Sequence, residues 1–362
     1  MDVAVVGAGI YGLSCAWACA RRGMRVVVHE RERIGAGASG GVVGALSPHP
    51  PAAWNAKKQF QLDALVAAEA RWADVARVGG VDPARARIGR VIPLATPGAR
   101  ERALAAARTS EHLWPAAVSW SVTDPERVPA CVATDAAPFG AVVETLSARI
   151  DPRRALAALR AALEASGVEV RENVEVSGIR DGGLRAAGEE IRADAVVLAT
   201  GAEGGLAPAP LIQGIKGQAA LLAPRSIMEG PMLFRDGIYV VPHADGHVAV
   251  GSTSERAWTD AGSTDGLLDD VIARARALCP ALDGADVVER WAGLRPRGAR
   301  PDPVVGALPG HDRVLIAGGG FKTGLATAFP VGEAVAAMIA GEPPTLPETF
   351  SVTAHVAHTR PT

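Results

Sequence analysis

Lysine is nearly absent from this chain: Lys57, Lys58, Lys216 and Lys322 are the only four in 362 residues. Arginine supplies the rest of the 37 basic side chains, against 39 acidic ones, and the formal net charge is −2 with a pI near 6.5. No Lys/Arg run stands out, so nothing in the charge pattern points to a nucleic acid or other polyanion partner. Cysteine is scarce too. Cys15, Cys19, Cys131 and Cys279 have no metal-ligand spacing, and Cys15 and Cys19, four apart on one helix, read as small packing residues. No apolar run reaches the length of a membrane span, and Met1 is followed at once by a strand, leaving no room for a signal peptide. A soluble, cytoplasmic protein is expected. There is no internal repeat, and with 48% hydrophobic residues the chain can bury a core large enough for two domains.

What is present is concentrated at the start, in MDVAVVGAGIYGLSCAWACARRGMRVVVHE. Asp2 to Val6 reads as a buried strand, Ile10 to Arg22 as a helix stopped by Gly23, and Arg25 to His29 as a second strand ending at Glu30. Between them, Gly7-Ala8-Gly9-Ile10-Tyr11-Gly12 carries the G-x-G-x-x-G spacing in strand–turn–helix–strand context. Gly7 permits the tight turn, Gly9 lets backbone approach a pyrophosphate at the helix N-terminus, and Gly12 permits close helix–sheet packing. Glu30 is placed to accept hydrogen bonds from an adenosine ribose. A Glu there disfavours NADP and leaves NAD and FAD open.

Further along, Gly35 to Gly44 forms a second glycine-rich loop whose N–H groups suit phosphate or flavin oxygens. The Pro-rich segment after Ser47 starts a helix near Ala52 or Ala53 that runs to about Val78. Strands are expected at 88–96, 117–122 and 140–145 around a helix at 98–110. Asp151 before Pro152 marks the start of a helix reaching about Ser166. Segments 168–171, 174–179, 183–186 and 193–199 read as strands. Segments 213–223, 231–242 and 247–252 read as an antiparallel sheet, followed by a helix at 264–278 and strands at 286–294 and 313–317. Gly318-Gly319-Gly320 opens a helix at 323–340. The expected fold class is α/β. A Rossmann-type nucleotide-binding domain, discontinuous over 1–50, 150–210 and 290–340, joins a second α+β substrate domain. The latter is built on a mixed or antiparallel sheet from 51–149 and 211–289, and 341–362 is an irregular C-terminal tail.

With GAGIYG and Glu30 in front, ADAVVLATGA in the middle, GIYVVPHADGHVAVGSTSE after it, and WAGLRPRGARPDPVVG and VLIAGGGFKTGLATAFPVGEAVAAMI at the end, the chain resembles the D-amino-acid oxidase / glycine oxidase superfamily of FAD-dependent amine oxidoreductases over nearly its whole length. The resemblance implies FAD as cofactor, a small-molecule amine or amino acid substrate, and O2 or another electron acceptor. By motif position, Gly7, Gly9, Ile10, Tyr11, Gly12, Glu30 and Arg31 would hold the ADP half. Ser39, Gly44, Ala45 and Leu46 would line the flavin, Val176 would meet the adenine edge, and Thr200 and Gly201 would close over the pyrophosphate. Gly319, Gly320, Phe321, Lys322 and Thr323 would set a helix N-terminus beside the flavin carbonyls.

At the substrate end, Arg295 matches an arginine that grips substrate carboxylate; the competing reading is a salt bridge to Asp302. Lys322 matches a lysine serving the same end in sarcosine-oxidase-like members. Tyr239 either reaches the substrate or packs as a core aromatic, and His49 either lines the site or sits on an exposed turn. The implied reaction is hydride transfer from the amine-bearing carbon to flavin N5, then imine hydrolysis to a 2-oxo acid and ammonia or an amine. One departure is Ala249, which stands where sarcosine oxidases carry an oxygen-activating lysine, so oxidase and dehydrogenase both stay open. A second resemblance, in VVGALSPHPPAAWNAKKQFQLDALVAA, is to the FAD domain of a bacterial enzyme that trims a modified tRNA uridine. The near-neutral charge stands against that alternative.

Overall fold

The structure is a computed structural model that describes residues 1–202, 205, 206 and 211–359. Residues 203, 204 and 207–210, within the stretch assigned above to nucleotide binding, and 360–362 of the tail lie outside the described residues. Among the described residues the strands form four sheets.

The first is six-stranded, in the order Val304–Ala307, Val314–Gly318, Ala195–Leu198, Asp2–Val6, Arg25–His29, Glu169–Arg171, parallel throughout except for the Val304–Ala307 edge. Its central strands are apolar at their inner positions, 3–6, 26–28, 195–198 and 314–317, because both faces are covered. Val3, Val5, Val26, Val28 and Val197 face helices Ile10–Arg21, Ala56–Gly79, Pro152–Ala165 and Gly324–Ile339. Ala4, Val6, Val196 and Leu198 face a small meander, Val176–Arg180, Gly183–Ala186 and Glu189–Arg192. Helix Pro152–Ala165 starts as its sequence dictates: the Asp151 carboxylate accepts from Arg153 N (2.9 Å) and Arg154 N (3.1 Å), with Pro152 at the first helical position.

The second large sheet has eight strands, and in it Ile212–Ala223 and Asp286–Gly298 pair antiparallel along their whole length. It is mixed, since Met232–Arg235 runs parallel to Arg90–Pro93. Alternation gives it two uses. Ala220, Leu222, Val240, Val248 and Val250 pack on helix Gly266–Leu278, while Ala219, Met232, Val241 and Ala249 face Val42 of the second glycine-rich loop.

Three expectations are corrected. The helix after the Pro-rich segment begins at Ala56, because the Asn55 side chain caps it by accepting from Lys58 N (3.0 Å); Trp54 precedes the cap. Residues 290–298, grouped on sequence with the nucleotide unit, ride on the second sheet through their pairing with 212–220. The tail is not irregular. Val352–Thr359 is a helix anchored by buried Phe350 and by His355, which lies 3.2 Å from Arg300 N and 3.0 Å from Pro303 O through its two ring nitrogens.

Asp151→Ala should lower unfolding stability by about 1 kcal/mol, the usual cost of losing a helix cap. The expected signature is a lower urea midpoint with an unchanged m-value.

Candidate active site

A cleft of about 720 Å³ runs between the two large sheets. One end is built from the first glycine turn. Gly7 sits at φ +102, and a Cβ there would lie 2.4 Å from Ala199 O. Helix Ile10–Arg21 has no side-chain cap at Gly9, so its first N–H groups are open except Ile10 N, which donates to Ser39 Oγ (3.0 Å). The Glu30 carboxylate is held at the end of its strand by Ala8 N (2.7 Å) and Glu32 N (3.0 Å). Ile10, Tyr11, Arg31, Ser39, Gly44, Ala45, Val176, Thr200 and Gly201 complete this end of the lining.

Beside this turn the lining continues through Gly319, Gly320, Phe321, Lys322 and Thr323 into helix Gly324–Ile339, whose N-terminus also lacks a side-chain cap. A Cβ at Gly320 would fall 2.7 Å from Tyr11 Oη. Thr327 donates its hydroxyl hydrogen to Thr323 O (2.9 Å), so Tyr11 donates to Thr327 Oγ1 (2.8 Å). Burial pushes the Tyr11 phenol pKa up, so it stays protonated. Two uncapped helix N-termini, glycines at the approach points and a carboxylate at the strand end suit an elongated, negatively charged dinucleotide.

Two expected lining residues are not in the cleft wall. Leu46 is 1% exposed and packs in the core, because its short strand turns that side chain inward. Gly12 lies behind the turn, where a Cβ would come within 1.8 Å of Gly7 O; its role is close packing.

Arg295, Lys322, Tyr239 and His49 all line the cleft. Arg295 does not pair with Asp302, which is held by Lys57 (3.0 Å) and lies 3.7 Å from Arg300. The Arg295 guanidinium donates to Ser252 Oγ (2.6 Å), Thr253 O and Lys216 O (3.4 Å), and stands over the Phe321 ring at 5.4 Å. Burial pushes its pKa down to about 10, with Glu255 opposing. Gly217 makes room for it, since a Cβ there would be 2.6 Å from the guanidinium carbon. Lys322 Nζ lies 5.6 Å from the same Phe321 ring, and burial and then Arg295 lower its pKa. His49 contacts Gln61 through both its backbone N–H and its ring Nδ1; burial, then nearby Lys57, Lys58 and Arg90, hold its pKa below the usual histidine value despite that contact.

Arg90, Glu144 and Phe234 escape the sequence reading. Arg90 is 3% exposed and fixes three parts of the site at once. It donates to Tyr239 Oη (3.1 Å) and to Pro48 O (3.1 Å), and its Nε lies 3.2 Å from fully buried Glu144. Phe234 stacks at 4.5 Å on Tyr239. An arginine is a donor only, so the Tyr239 oxygen accepts and its own hydrogen is left for the cleft. A lone Arg in the apolar strand RVIP and a lone Glu in AVVE were the available signals, but their pairing is legible only once the two strands lie side by side.

A sequence model of the DAO family, described as FAD-dependent oxidoreductase, matches residues 2–338. The glycine oxidase of Pseudomonas aeruginosa is 32% identical over 358 residues, covering 94% of this chain and 95% of the relative. The glycine oxidase of Pseudomonas putida is 30% identical over 356 residues, covering 90% and 91%. Among solved structures, glycine oxidase from Geobacillus kaustophilus superposes with a TM-score of 0.87 at 23% identity over 98% of each chain, a likeness of fold. The chain belongs to the family of FAD-dependent oxidoreductases, and FAD is its cofactor.

Proposed function

We propose that this enzyme oxidises the C–N bond of an amino acid or N-substituted amino acid, yielding an imine that water converts to a 2-oxo acid and ammonia or an amine. The observation that carries this reading is that Arg295, Lys322 and Tyr239 all line the cleft, with the Tyr239 oxygen accepting from Arg90. Two relatives named glycine oxidase at 30% identity or more, aligned over at least 90% of this chain, support an amino acid as substrate.

FAD, when bound, would supply the two-electron acceptor for the hydride of the amine-bearing carbon. The chain's own residues bind and orient. Three of the five Arg295 N–H hydrogens hold Ser252, Thr253 and Lys216, which fixes the guanidinium, and the other Nη1 hydrogen is left for a carboxylate. Tyr239 offers a second donor from the sheet, held in place by Arg90 and Phe234. No strong base is required, because an amine that has lost its proton carries the lone pair that expels hydride. Neutral His49, whose pKa burial lowers, adds no charge to this end at neutral pH.

The test is anaerobic: the yellow holoenzyme is mixed with glycine, sarcosine and D- and L-amino acids, and flavin bleaching is followed. Bleaching by one class supports the reading, and its rate of recovery in air separates oxidase from dehydrogenase. A flavin that no amino acid reduces would overturn it. Arg295→Ala should keep FAD but lose about 2–4 kcal/mol of transition-state stabilisation, read as kcat/KM on a carboxylate substrate. Gly217→Ala should reproduce part of that loss with FAD content unchanged, since the added methyl displaces the guanidinium rather than removing it.

A further inference from the structure

The carboxylates along the cleft are confined to one end, where Arg31 stands among them. They are Glu30, Glu32 and Glu175, among the described residues, and all three stand beside the first glycine turn and the meander. At the other end the charged groups are Arg295, Lys322 and Arg90. Arg90 is matched by Glu144. Arg295 and Lys322 make no ion pair among the described residues, and Glu255, the acid that acts on Arg295, lies 4.0 Å from Lys216 and is hydrogen-bonded by Gln218 and Thr253. In a protein of net charge −2, this places two cations without an ion-pair partner 5.4 and 5.6 Å from one ring, Phe321.

Two unpaired cations held in a partly buried cleft repel each other, and burial and Arg295 together depress the Lys322 pKa. A single carboxylate on Arg295 neutralises one of them. A substrate with a second carboxylate neutralises both, and a substrate with a cationic side chain meets repulsion. Resting on the amine-oxidation reading above, we propose that the preferred substrates are amines carrying two carboxylates, one bound by Arg295 and the other by Lys322. Acidic amino acids, with the second carboxylate on the side chain, and N-carboxymethyl amino acids, with it on the nitrogen, share this chemistry.

The experiment compares anaerobic flavin reduction by glycine, D-aspartate and iminodiacetate in the wild-type holoenzyme, Lys322→Gln and Lys322→Arg, with FAD content checked from the visible spectrum. The expected result is a wild-type preference of about tenfold or more for at least one dicarboxylate over glycine. Lys322→Gln should lose about tenfold more on that dicarboxylate than on glycine, and Lys322→Arg should recover most of the difference. Which of the two dicarboxylates responds locates the second carboxylate. An equal loss on all three substrates would mean that both cations grip one carboxylate and would overturn the inference. A wild-type preference for glycine would overturn it alone, whereas a flavin reduced by no amine would remove the amine-oxidation reading with it.

Discussion

Two helices leave their first turns uncapped at the same cleft, and the rest of the structure is arranged to let them do so. An open helix N-terminus is a set of unsatisfied N–H groups with a partial positive charge, stable in a partly buried place only when an anion or water answers it. Bringing two of them together requires that helices 10–21 and 324–339 pack closely. Gly332 permits this: a Cβ there would come within 2.4 Å of Ser14 O. The apolar parallel sheet beneath fixes both helices through its buried valines. The anion site is thus a consequence of backbone packing, and Glu30 adds the one side chain that distinguishes its far end.

The second sheet solves a different problem. Its strands place alternate residues on a helix and towards the second glycine-rich loop, so one element provides both a stable core and a wall of the cleft. The long pairing of 212–223 with 286–298 sets Arg295 opposite Ile215, with Gly217 leaving the volume its guanidinium occupies. The buried Arg90–Glu144 pair then locks Tyr239 and the Pro48 turn to the same sheet. Desolvating such a pair is costly, which makes fixed geometry in the site a more natural reason for it than added stability. Ala249 lies fully buried on the face of this sheet that packs against Val42.

Legibility followed distance along the chain. The first thirty residues announce strand, turn, helix and carboxylate because each depends on neighbours within a few positions: a glycine where φ is +102, an apolar run where both faces are covered, an acid at a strand end. The Asp151-Pro152 cap is local in the same way. Pro50 and Pro51 suggest a helix boundary just after them, whereas the start at Ala56 is decided by the Asn55 side chain accepting from Lys58 N. The tail looked irregular because Phe350 and His355 are anchored by Phe60 and by residues 300–303, far away in sequence.

By itself, the sequence determined the opening strand–turn–helix–strand with Glu30 at its end, since that rests on a short motif with fixed spacing; FAD rather than NAD followed from the resemblance along the whole chain. Tertiary structure alone decided that Leu46 turns into the core, that Asp302 pairs with Lys57 rather than Arg295, and that Arg90 finds Glu144 and Tyr239. It also decided that Arg295 and Lys322 meet at one phenylalanine with no ion pair to either among the described residues. Charge pairing and burial are properties of space. The pairings that build the site join residues far apart in the chain, Arg90 with Glu144 and Ile215 with Arg295.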